Sequence, residues 1–135
     1  MDLSLALAVR LRAGNVCEYC RMPQECYPTV VFPIDHIIAR QHSGPSAMSN
    51  LALSCLHCNS FKGPNIAGLD PKTKQLTRLY NPRRHKWSKH FRWLTPYIVG
   101  QTAVGRVTIM VLAMNAPDLV EVRRSLIDEG LFATE

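Results

Sequence analysis

Two Cys-x-x-Cys pairs, Cys17/Cys20 and Cys55/Cys58, are separated by the 34 residues 21–54 in a chain of 135. In a reducing compartment, paired cysteines so spaced read as a metal site rather than as disulfides. Four soft thiolates with no open position suit structural zinc in closed tetrahedral geometry. The ion would clamp a knuckle following a first helix onto a knuckle that starts a second helix, and in so small a chain that clamp is part of folding itself. Cys26 is left over, a free or partly buried thiol.

The stretch between the pairs carries the other chemistry. Val30 to Ile38 is rich in β-branched residues and favours an extended strand bearing the neighbours Asp35 and His36, whose side chains point to opposite faces unless the backbone bends. A Ser-Gly-Pro-Ser loop follows. Asn50 then opens the short apolar run Leu51–Leu53, the return strand of a hairpin, and Cys55–Cys58 turns tightly into a helix. On that helix Asn59 and Lys62 share a face. An asparagine at the end of such a loop bonds nearby backbone. A neutral imidazole with a pKa near ~6.5 takes a proton from water at physiological pH, which makes His36 a suitable base.

The order Cys17-x2-Cys20, Asp35-His36, Asn50, Cys55-x2-Cys58-Asn59-x2-Lys62 resembles the HNH endonucleases, whose core is a ββα-metal unit. The positions that name the family fall on His36, Asn50 and Asn59, with Asn59 where many members have a second histidine. The HNH domain of RNA-guided CRISPR nucleases is similar in having Asp-His in front and Asn-x-x-Lys behind. Further on, Leu79-Tyr-Asn-Pro-Arg, Trp87, His90-Phe-Arg-Trp93 and Gly105-Arg-Val-Thr resemble small stand-alone bacterial HNH proteins.

The resemblance implies that Asp35 binds a catalytic metal, that His36 is the general base, and that Asn50 holds the two strands so that the histidine is aimed. A carboxylate from Asp35 and an amide oxygen from Asn59 are hard ligands, which select Mg²⁺ or Mn²⁺ over zinc. His57 lies two positions before Asn59, about 200° around a helix, and is expected on the surface. Lys62 is expected to contact a phosphate, with a solvated helix end as the alternative.

Charge points to the partner. Sixteen Lys and Arg against ten Asp and Glu leave a net +6, and eight of the sixteen lie between Lys72 and Arg92, where there is no acid. That stretch is the expected electrostatic footprint for DNA, with RNA left open, and Arg83, Arg84, Lys86, Lys89 and Arg92 are its candidate phosphate contacts. The interleaved Phe91 and Trp93 are expected in the core. Asp2 ahead of the apolar run Leu3–Val9, with Arg10 and Arg12 behind it, is the wrong charge order for an export signal. An amphipathic helix over 2–13 closed by Gly14 fits better. No run approaches the roughly 20 apolar residues of a membrane span, so a soluble cytoplasmic protein is expected.

Beyond Gly63, Asp70-Pro71 reads as a turn, 75–80 and 97–99 as strands, and 102–114 and 117–129 as helices. Val104, Val107, Val111, Leu112, Leu119, Val122 and Leu126 form the expected core. The chain is thus expected to be one α+β domain. It would comprise an N-terminal helix (1–14), zinc knuckles with a ββα-metal HNH core (15–63), and a basic region with two C-terminal helices (64–135). Its expected activity is metal-dependent hydrolysis of DNA, by nicking or double-strand cleavage, as a monomer or homodimer. The rival is a catalytically inactive, zinc-stabilised nucleic-acid-binding module. A Cys-x-x-Cys redox protein lacks the βαβ context it would need.

Overall fold

A computed structural model describes residues 1–134. The first helix, α1 (Leu3–Ala13), starts at Asp2, whose carboxylate accepts from the Ser4 N–H at 2.9 Å, and ends at Gly14 in the left-handed region. Leu5, Val9 and Ala13 pack inward, but Leu3, Leu7 and Leu11 stay exposed. The helix is therefore apolar on two sides and not amphipathic as its sequence suggested.

A knuckle follows, in which Val16 bridges Pro23 and the Cys17 N–H donates to Met22 O at 2.9 Å. The hairpin comprises β1 (Ile34–His36) and β2 (Leu51–Leu53), antiparallel with Asp35 opposite Ala52 and His36 opposite Leu51. The return strand has the expected bounds. The first strand is only a third of the predicted stretch, because its flanks are bonded elsewhere. Gln24 takes Val30 O and the Phe32 N–H with its side-chain amide, and Asn50 takes the N–H groups of Ile37 and Ile38. The short helix α2 (Leu56–Lys62) has Cys55 as its cap, with Sγ accepting from the Cys58 N–H.

Two more hairpins follow: β3 (Ala67–Leu69) with β4 (Leu76–Arg78), then, after the single turn α3 (Trp87–His90), β5 (Phe91–Leu94) with β6 (Tyr97–Gly100). α4 (Ala103–Val111), capped by Thr102, and α5 (Pro117–Asp128), with proline in its first turn, complete an α+β fold with three two-stranded sheets among the described residues. Asp70 closes the β3–β4 turn and pairs with Arg106 of α4 at 2.8 Å. Gly105 lets α4 press on the end of α3, since a Cβ there would lie 2.0 Å from His90 O.

Neither α3 nor β5 was expected in the basic stretch. Phe91 is buried as anticipated; Trp93 is half-buried, stacked on Trp87 with ring centres 5.4 Å apart. Val107, Leu112 and Leu119 are buried and Val104, Val111 and Leu126 partly so, whereas Val122 is 38% exposed. No helix among the described residues is long and apolar enough to cross a membrane.

Candidate active site and metal cluster

The four paired cysteines converge. Their sulfurs all lie within 4.8 Å of one another, and Cys20 Sγ is 3.6 Å from Cys55 Sγ. Four metal–sulfur bonds of about 2.3 Å in a tetrahedron place sulfurs roughly 3.8 Å apart, so the donors are set for an ion. All four are buried and none is in a disulfide; Cys26 is half-buried and outside the cluster. Burial opposes ionisation of Cys17, yet hydrogen bonds from Cys20, Cys55 and Cys58 hold its thiol well below the ordinary range. Arg123 of α5 is fully buried, its guanidinium bonded to Pro96 O and Met114 O and its Nε without a partner among the described residues. Burial lowers its pKa, and the charge of the four cysteines works the other way. Nothing in the sequence marked Arg123 as a cation close enough to the cluster to sense it.

Beside the cluster, the hairpin presents His36. Its ring is partly exposed at the end of β1, with Nε2 2.8 Å from Ser46 Oγ in the loop. Burial lowers its pKa, Arg40 adds to this, and Asp35 opposes it, so the site favours the neutral ring. Asn50 is buried and fully used: Oδ1 accepts from the Ile38 N–H at 2.9 Å, and Nδ2 donates to Ile38 O at 3.0 Å and Pro45 O at 2.9 Å. The loop closes so tightly over this amide that a Cβ on Gly44 would fall 1.7 Å from Ile38 O and 2.9 Å from Asn50 Nδ2.

Asp35 points the other way, into the protein. It is 5% exposed, and its Oδ2 accepts from the hydroxyl of fully buried Tyr19 at 2.7 Å. Lys62 Nζ stands 3.2 Å from both carboxylate oxygens. Burial pushes the Asp35 carboxyl up, and Lys62 and Tyr19 pull it back. The same ammonium donates to His36 O and Ile37 O, each at 3.1 Å, and is 1% exposed. Lys62 is therefore not a solvated helix end, and in this arrangement it has no proton free for a phosphate, all three being spent inside. Nor is Asp35, so neutralised, open to a divalent ion in this arrangement.

Asn59 is half-buried on α2, three residues before Lys62. His57 is not a surface residue: its Nε2 donates to Leu112 O at 3.0 Å and Ala113 O at 2.8 Å, tying α2 to the end of α4.

Arg83 is tied to the hairpin. Its guanidinium pairs with Glu18 and donates to Leu51 O, to which Arg12 also donates, while Glu18 accepts from the Leu53 N–H. These charged side chains occupy the free edge of β2 that no third strand covers. Arg84, Lys86, Lys89 and Arg92 are exposed. Lys86 lines an open groove of about 740 Å³ with Arg21, Trp87 and Trp93. Trp87 is covered by Arg21, Phe91 and Trp93 and donates from Nε1 to Tyr19 O, so its ring is structural.

No curated protein and no solved structure matches the chain significantly. One family model does: that of the HNH endonucleases matches residues 17–65, the span from the first cysteine through α2, about a third of the chain. Residues 17–65, which carry both cysteine pairs, the histidine-bearing hairpin and the helix behind it, are thus similar to the HNH endonucleases.

Proposed function

We propose that the chain is an HNH endonuclease that hydrolyses DNA phosphodiester bonds with His36 as general base. The observation that carries this reading is the His36–Asn50 arrangement. A neutral imidazole stands on the open face of the hairpin, and the buried amide of Asn50 fixes the backbone two residues beyond it. His36 withdraws the proton from a water, which attacks the phosphorus and leaves 5′-phosphate and 3′-hydroxyl ends. Exposed Arg84, Lys86, Lys89 and Arg92 hold backbone phosphates without reading sequence. The cysteine cluster takes zinc, four soft donors in a closed shell being its usual structural site.

A catalytic Mg²⁺ or Mn²⁺ belongs to the reading through the family, to offset charge developing on the phosphate and the leaving oxygen. Asn59 offers it an amide oxygen that no described residue engages, whereas Asp35 is already held by Lys62. That pairing is also what supports the second reading, a zinc-stabilised module that binds nucleic acid without cutting it.

Plasmid nicking with Mg²⁺, set against EDTA and against His36→Ala, separates the two. Under the first reading His36→Ala binds DNA normally and cleaves about 10²- to 10⁴-fold more slowly. Cleavage also rises with pH through a midpoint below the ordinary histidine value of ~6.5, because burial favours the neutral base. No nicking under any ion gives the second, and nicking that survives His36→Ala unchanged overturns His36 as the base.

A further inference from the structure

Three buried polar side chains from three parts of the chain meet behind β1: Tyr19 from the first knuckle, Asp35 from the strand, and Lys62 from the end of α2. At 3.2 Å from both carboxylate oxygens, the ammonium bisects the carboxylate, the place a chelated divalent ion would take. Its remaining protons go to His36 O and Ile37 O, so one cation neutralises Asp35 and pins the backbone that carries His36. With three donors matched to the carboxylate and two carbonyls, and 1% of the residue exposed, Lys62 has neither a spare proton nor access to solvent.

We propose that Lys62 is the resident cation of the hairpin–helix site, a positioning residue for His36. A divalent ion reaches Asp35 only in competition with it. The proposal rests on the nuclease reading for its relevance to cleavage but is tested without it. An ion bound at Asp35 would face a full like charge a few ångströms away in a site shielded from water, and occupancy requires that the ammonium withdraw or share the carboxylate. The weak binding that follows fits a site whose other expected ligand, Asn59, is uncharged.

The test is Mn²⁺ titration of zinc-loaded protein, following free Mn²⁺ by electron paramagnetic resonance, in wild type, Lys62→Met, and Lys62→Met combined with Asp35→Asn. Methionine keeps the apolar stem and removes the charge. Lys62→Met is expected to bind Mn²⁺ at least about tenfold more tightly than wild type, and the double variant to lose that gain. Equal or weaker binding by a folded Lys62→Met would overturn the proposal. Should Lys62→Met not fold, ¹⁵N spectra of the lysine ammonium groups of the wild type decide. A solvent-protected signal that shifts saturably as Mg²⁺ is added supports competition, and one that Mg²⁺ leaves unmoved refutes it. Failure to nick DNA with these results intact would count against the nuclease reading alone.

Discussion

The segment 17–65, similar to the HNH endonucleases, gathers potential metal ligands in two places, the cysteine cluster and Asp35, and treats them differently. At the cluster, four sulfur donors face one another and none is hydrogen-bonded by a cation; buried Arg123 senses their charge but gives its described bonds to Pro96 O, Met114 O and Asn115. At Asp35 a single carboxylate has an ammonium in contact with both oxygens. Donors outnumber internal cations at the first place and are matched by one at the second. The first is thus arranged to take an ion, whereas the second already has a cation built in.

The largest expected effect comes from breaking the first place. Cys55→Ser with Cys58→Ser removes half of the sulfur ligands. In small zinc domains the ion's apparent binding energy, about 10–16 kcal/mol at pH 7, is folding energy. The double variant should lose its cooperative thermal transition and its bound metal, and strong chelators should do the same to wild type. A variant that melts like wild type would show that the cluster is only four packed thiols.

Breaking the second place should cost less and leave the metal in place. Asp35→Asn keeps shape but strands Lys62 as an uncompensated buried charge, a loss of about 3–5 kcal/mol. Denaturant unfolding at neutral pH measures it, with elemental analysis to check that zinc is retained. A loss below about 1 kcal/mol would mean that solvent already screens the pair as it does at a surface, and the contrast between the two places would be weaker than the geometry implies.

What the sequence revealed follows the same division. The cysteine spacing, the return strand Leu51–Leu53, the helix opening after Cys55 and Asn50 at the loop's end were legible, because each depends on residues close in sequence or on a metal that joins them. Lys62, Glu18, Arg83 and Arg12 were not. Long charged side chains are rarely buried, so a lysine at a helix end and an arginine in a basic run read as surface groups. All four instead satisfy backbone groups or charges of the β1–β2 hairpin, interactions set by tertiary position alone. The basic composition of 83–92 also hid β5, whose Phe91 and Trp93 face inward between exposed Arg92 and Leu94.

The smallest expected effect tests this redistribution of basic residues. If Arg83 is a hairpin clasp, Arg83→Ala should lower stability, since it leaves the Glu18 carboxylate without its cation, yet leave the salt dependence of DNA binding unchanged. Arg84, Lys86 and Lys89 are exposed, and among the described residues none forms a salt bridge. Replacing these three with alanine should leave the melting temperature within a few degrees of wild type. It should also reduce the slope of log K against log salt by roughly 0.9 for each duplex phosphate that is no longer neutralised. Fluorescence anisotropy with two unrelated duplexes at several salt concentrations reads both expectations, and the weakening should be alike for the two because phosphates carry no sequence. An equal fall in slope from Arg83→Ala alone would return Arg83 to the footprint. An unchanged slope in the triple variant would move the DNA path off this face, toward the Arg40–His42 side of the hairpin.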